Sequence, residues 1–193
     1  MERVSVFVDG ANMYYAQKRL GWYIDYRRVL AHFAWQGDCE LSEAYYYTGT
    51  DSPPRSRETA FFEYLNHAGF TVRAKSVKQV TDDVTGETVE RASLDIEMVI
   101  DLFNTSSRYD TCVLMSGNGD FERVLEVLRA RGKRVIVVGL PEMTARELRN
   151  AAGANYIELR RLEPTIARTD RLPEPDAEAE ETEEAGDPLP PNG

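Results

Sequence analysis

Short, almost continuously apolar runs alternate with amphipathic segments along most of this chain, and that alternation restricts the folds open to it. Residues 4–8 (Val-Ser-Val-Phe-Val), 111–115 and 134–139 read as strands with few polar positions on either face. Residues 41–48, 70–78 and 156–159 are further strand segments. Helices are predicted over 12–20, 26–34, from Pro53-Pro54 to about His67, and over 94–103, 121–131 and 144–152, with Gly21 and Gly69 as stops. Strands that are apolar on both faces need helices covering both, which is the arrangement of parallel sheets. The predicted fold class is therefore α/β: a three-layer sandwich around a mostly parallel sheet. Residues 82–87 read as a polar hairpin tip or loop.

Charge is distributed unevenly. Of the formal −10, residues 163–193 carry −8, leaving −2 on residues 1–162. The terminal segment is rich in Glu, Pro and Ala, and it cannot bury enough apolar surface to offset its ordering entropy. A folded domain over 1–162 followed by an acidic disordered tail over 163–193 is expected. The near-neutral folded part leaves a polyanionic partner open. No secretory signal is evident, and no apolar run approaches the roughly 20 residues that span a bilayer. Cys39 and Cys112 form no CxxC pair, which suits reduced thiols in a cytoplasmic protein without a membrane partner.

In open α/β sheets, sites form beyond the carboxyl ends of strands. Asp9 follows the first strand, and the turn Ser116-Gly117-Asn118-Gly119-Asp120 follows the strand at 111–115. Asp95 opens the helix at 94–103, on the face of Val99 and Leu102. Each acid has an ordinary use, as a helix cap (Asp9, Asp120) or at the positive end of a helix dipole (Asp95). Gathered at one rim, however, three carboxylates would raise one another's pKa. A shared divalent cation, Mg²⁺ or Mn²⁺, relieves that repulsion. The residues thus point to a hydrolase of phosphoesters in which a metal-activated water attacks. Ser116 and Asn118 could hydrogen-bond the scissile phosphate, and the N–H groups of Gly117 and Gly119 could hold an anion. GxSxG is absent, and His32 and His67 read as ordinary helix residues. Gly117-Asn118-Gly119 is a poor dinucleotide fingerprint, because Glu122 stands where its third glycine would be. Arg55, Arg57, Arg73, Lys75, Lys78 and Arg91 could track a phosphate backbone, or form a solvated basic face. Tyr14, Tyr15, Trp22 and Tyr23 could stack on unpaired bases, although core packing is the readier role.

Phe7-Val8-Asp9-Gly10-Ala11-Asn12 resembles the opening signature of the NYN domain family, the LabA-like branch of the PIN-like nucleases. Ala44-Tyr45-Tyr46-Tyr47-Thr48-Gly49 resembles its second strand, and Leu94-Asp95-Ile96-Glu97-Met98-Val99-Ile100-Asp101 its acidic helix. Ser116-Gly117-Asn118-Gly119-Asp120-Phe121 resembles its SGDxDF turn, and the likeness extends over about residues 4–159. The resemblance implies a PIN-like fold and metal-dependent cleavage of phosphodiesters, most often in RNA. It implies Asp9, Asp95 and Asp120 as the acids that hold Mg²⁺ or Mn²⁺, and Asn12 as a conformational or substrate-orienting group. Single-stranded RNA is then the expected partner of an endoribonuclease, with Lys75 among its contacts; a homodimer is compatible. One position departs: Asn118 stands where many relatives carry an acid. Its amide offers an oxygen without charge, which leaves a catalytically weak or inactive RNA- or nucleotide-binding regulatory module as the alternative.

Overall fold

The computed structural model describes residues 1–35, 37–76, 78–81, 88–91 and 94–169. The expected hairpin tip at 82–87 and the chain beyond Thr169 lie outside the described residues. In chain order the elements are β1 (Glu2–Asp9), α1 (Gly10–Leu20), α2 (Tyr26–Ala34), β2 (Cys39–Thr50), α3 (Ser56–Ala68) and β3 (Thr71–Ser76). Two short strands follow, β4 (Lys78–Thr81) and β5 (Thr88–Arg91), then α4 (Asp95–Asn104) and β6 (Thr111–Met115). The chain continues through α5 (Glu122–Ala130), β7 (Arg134–Gly139), α6 (Arg146–Ala152), β8 (Tyr156–Glu158) and α7 (Glu163–Ile166).

Six strands form one sheet in the order β3-β2-β1-β6-β7-β8, and every neighbouring pair is parallel. Side chains alternate across it as strand geometry requires. Val4, Val6, Val8, Tyr46, Val113 and Val138 face one core with Met13, Val29, Leu30 and Leu65 from α1, α2 and α3. Phe7, Tyr45, Tyr47, Leu114 and Val137 face the other, with Met98, Leu102, Leu125 and Leu148 from α4, α5 and α6. Three layers result, as expected from the sequence. From β1 the chain winds outward through β2 to β3, then returns to pair β6 beside β1 and winds the opposite way. The junction of β1 and β6 is therefore the point where the winding reverses.

Local chemistry moves several boundaries. Helix α1 begins at Gly10, two residues earlier than predicted, because the Asp9 carboxylate caps it by accepting the Asn12 N–H at 3.0 Å. Helix α3 starts at Ser56 rather than at the prolines, its Glu58 reaching back to the Arg55 N–H at 2.8 Å. The strand predicted over 70–78 divides, with β4 pairing β5 in a separate antiparallel ribbon. The packed chain also runs past Leu162, where the folded part was expected to end. Ile166 is fully buried in the first core, its carbonyl accepts the Asp25 N–H at 2.8 Å, and Ala167 bridges Ile24. One buried isoleucine and several backbone hydrogen bonds seat this acidic, proline-containing turn. Among the described residues, no helix is long and apolar enough to cross a membrane.

Candidate active site

Val8 pairs with Met115 across the β1–β6 junction, so Asp9 and Ser116 leave the sheet side by side. The Ser116 hydroxyl donates to Asp9 Oδ2 at 2.8 Å, and the Asn118 N–H donates to Ser116 Oγ at 3.1 Å. Asp9 Oδ1 meanwhile caps α1, so the capping role and a site role are not exclusive. Burial pushes the Asp9 carboxyl above its ordinary range, and the nearby Asp95 charge adds to that; hydrogen bonds from Asn12, Ser116 and Ala11 pull it down.

Beside Asp9, on the β2 side, a cavity of about 310 Å³ opens between the ends of β1 and β2 and the start of α4, lined by Asp9, Asn12, Tyr15, Tyr47 and Asp95 together with the apolar Leu94 and Met98. Asp95 is the first residue of α4, half-buried at the positive end of that helix. The side-chain oxygen of Asn12 is buried and has no hydrogen-bond partner, an uncommon state for an amide in a folded protein. Asp120 lies apart from this lining. It is exposed on the 3₁₀ turn Gly119–Phe121, where Asn118 Oδ1 accepts its N–H at 3.0 Å. That Asx turn takes one of the two lone pairs of the Asn118 amide oxygen. Among the described residues, no group of three or more His, Cys, Asp or Glu could hold a metal ion.

The cations expected to follow a phosphate backbone are largely matched to acids. Lys75 Nζ is 2.9 Å from Glu97, and Arg73 Nε is 3.1 Å from Asp101, which also accepts the Tyr47 hydroxyl at 3.0 Å. Arg55 pairs with Asp51. The first two contacts engage Glu97 and Asp101, four residues apart on α4, and hold Lys75 of β3 against that helix rather than in the cavity lining. The side chains of Lys78 and Arg91 lie outside the described residues.

A family model described as the NYN domain matches residues 3–160. The chain belongs to the NYN domain family. It is 48% identical over 174 residues to the "Low amplitude and bright protein LabA" of Synechococcus elongatus, covering 90% of this chain and 91% of that one. A crystal structure of a protein of unknown function from Vibrio parahaemolyticus shares the fold, with a TM-score of 0.69 and 24% identity, over 82% of this chain and 93% of that chain.

Two of the three glycines in the NYN signature turns stand at close approaches to backbone. A Cβ on Gly10 would lie 2.5 Å from the Tyr47 carbonyl oxygen, and one on Gly117 would lie 2.1 Å from that of Met143. Backbone cannot yield as a flexible side chain does, so Gly117→Ala should destabilise by about 1–3 kcal/mol, the usual range for overpacking. Thermal unfolding should register roughly 2–4 °C for each kcal/mol. An unchanged melt would show that the loop at Pro141–Met143 is free to move away. Tyr15 is the lining residue that sequence reasoning set aside as core. Its signal was its phase: one turn after Ala11 and three residues after Asn12, it shares their face of α1.

Proposed function

We propose that this NYN domain is a metal-dependent phosphodiesterase, an endoribonuclease cutting single-stranded RNA with Mg²⁺ or Mn²⁺ held by Asp9 and Asp95. The observation that carries this reading is the meeting of two carboxylates and Asn12, whose buried side-chain oxygen has no hydrogen-bond partner, around one cavity at the carboxyl edge of the sheet. That donor set is all oxygen and carries two negative charges, which fits a hard divalent cation. Magnesium commonly takes only one or two protein carboxylates, with water and phosphate completing its shell. Domains of this family, within the PIN-like nuclease superfamily, generally work on RNA with divalent metals, which supports the same reading.

When bound, the ion supplies positive charge to a phosphate oxygen and acidity to a water molecule. The protein's own part is orientation. Ser116 and the α1 N-terminus fix both Asp9 oxygens, leaving the carboxylate a single position. The Asn12 side chain would supply a further neutral oxygen to the ion or the substrate once its amide turns toward them. Tyr47, locked onto Asp101, walls the cavity beside them.

Purified protein should cleave several single-stranded RNAs in Mn²⁺ or Mg²⁺ and leave them intact with a chelator. Asp95→Asn should reduce that cleavage more than Asp120→Asn, because Asp120 stands off the cavity. The reverse ranking would mean that the 3₁₀ turn swings Asp120 inward when an ion binds. A regulatory module that binds RNA without turnover is the second reading, and the uncharged Asn118 in the turn after β6 favours it. RNA that is bound but never cut, with either ion, would establish that alternative.

A further inference from the structure

We propose that Tyr15 is a stacking platform for a nucleobase next to the scissile phosphate, so that the site accepts unpaired nucleotides and rejects paired ones. The proposal rests on the phosphodiesterase reading and names the feature that selects its substrate.

Helix α1 has two working faces. Met13 and Ala16 enter the core, whereas Ala11, Asn12 and Tyr15 turn to the cavity. Most tyrosines of the sheet are buried: Tyr45, Tyr46 and Tyr47 on β2 are all nearly inaccessible. Tyr15 is 61% exposed, yet its ring lines the same cavity as both carboxylates. Its only ring neighbour among the described contacts is Tyr14, which meets it edge-on at 5.4 Å and 74°. Lys18 Nζ lies 4.8 Å from the centre of the Tyr14 ring and adds positive charge beside the pair. Ala11, one turn before Tyr15 and exposed like it, sets only a methyl group on that side of the ring. An aromatic side chain held this way, with phosphate chemistry adjacent, suits base stacking, which tolerates any sequence because every base has a π-face. A paired base already spends that face on its own stack and would have to leave it first.

The test is steady-state cleavage of a short single-stranded RNA in Mn²⁺ by wild type, Tyr15→Ala and Tyr15→Phe. Tyr15→Ala should raise KM roughly 5- to 150-fold, the range for one lost base–aromatic stack, with kcat little changed; Tyr15→Phe should behave as wild type. An RNA lacking one base at the cleavage site should lose the same factor with wild type and nothing further with Tyr15→Ala. A wild-type KM in a folded Tyr15→Ala protein, or an abasic penalty that persists in it, overturns the proposal. If wild type cuts no RNA, the phosphodiesterase reading falls by itself, and fluorescence anisotropy with the same two RNAs decides the stacking. Weaker binding by Tyr15→Ala to the intact RNA alone supports the platform; equal binding, or none by wild type, overturns it.

Discussion

Asp9→Asn should lower ion-dependent RNA cleavage by roughly 10²–10⁴-fold, the several kcal/mol that a bound cation contributes, while leaving the ion-free protein at least as stable as wild type. Asparagine is as good a helix cap as aspartate, so α1 keeps its start. The Ser116 hydroxyl, which donates to Asp9, can turn and accept from the new amide instead. What the substitution removes is a charge held above its ordinary pKa by burial. A raised carboxyl pKa means that the folded state binds the proton more tightly than the unfolded chain does. This group therefore favours folding below the ordinary aspartate value of about 3.9, and that contribution is lost as pH rises through the raised folded value. At neutral pH the charged carboxylate is a net cost, which asparagine does not carry. In chelator, the melting temperature of Asp9→Asn should equal or exceed that of wild type at pH 7, and the gap should close towards pH 4. Manganese should reverse the order, because an ion at a hundred times its Kd stabilises by about 2.7 kcal/mol and the variant lacks the ligand. A variant that cleaves near the wild-type rate, or that gains as much from manganese, would remove Asp9 from the site.

Such opposite effects on stability and activity were foreshadowed in the sequence only as a crowding of acids. The apolar strands at 4–8, 111–115 and 134–139, each separated by helical segments, were enough to infer parallel layers, and the turns after the first two pointed to a common rim. Asp120 was harder to read. Asn118-Gly119-Asp120 is equally good as an ion-binding loop and as an Asx turn that faces its acid outward, and only the backbone path distinguishes them. The partners of Lys75 and Arg73 were hidden for another reason. Their acids lie on α4, more than twenty residues away in sequence, and no local pattern encodes a side-chain pairing across a crossover. Tyr15 was misjudged because an aromatic on an amphipathic helix most often faces a core, while α1 divides its surface between a core and a cavity.

Ending the chain at Leu162 should destabilise the domain by about 4 kcal/mol or more, whereas ending it at Thr169 should leave the urea midpoint unchanged. The first truncation removes Ile166, fully buried beside Leu159 and Leu162, and losing a buried isoleucine side chain typically costs about 2–5 kcal/mol. It also removes the acceptors of two donors, the Asp25 N–H (2.8 Å, to Ile166) and the Arg28 guanidinium (3.0 Å, to Ala167). Both donors are only part-buried and pass to water, so each lost hydrogen bond costs about 0.5–1.5 kcal/mol. Asp25 caps α2 and accepts the Tyr64 hydroxyl at 3.0 Å, so the loss falls where α2 and α3 meet. Against a total stability of about 5–15 kcal/mol, that is a large share. The segment from residue 170 onward offers only Leu172 and Leu189 as large apolar groups among many acids, so its removal should withdraw little burial. Ile166→Ala separates the two contributions, since it keeps every backbone acceptor: it should account for about half of the loss. If it accounts for none, the side chain is not what anchors the last turn, and the hydrogen bonds at Asp25 and Arg28 carry the attachment instead.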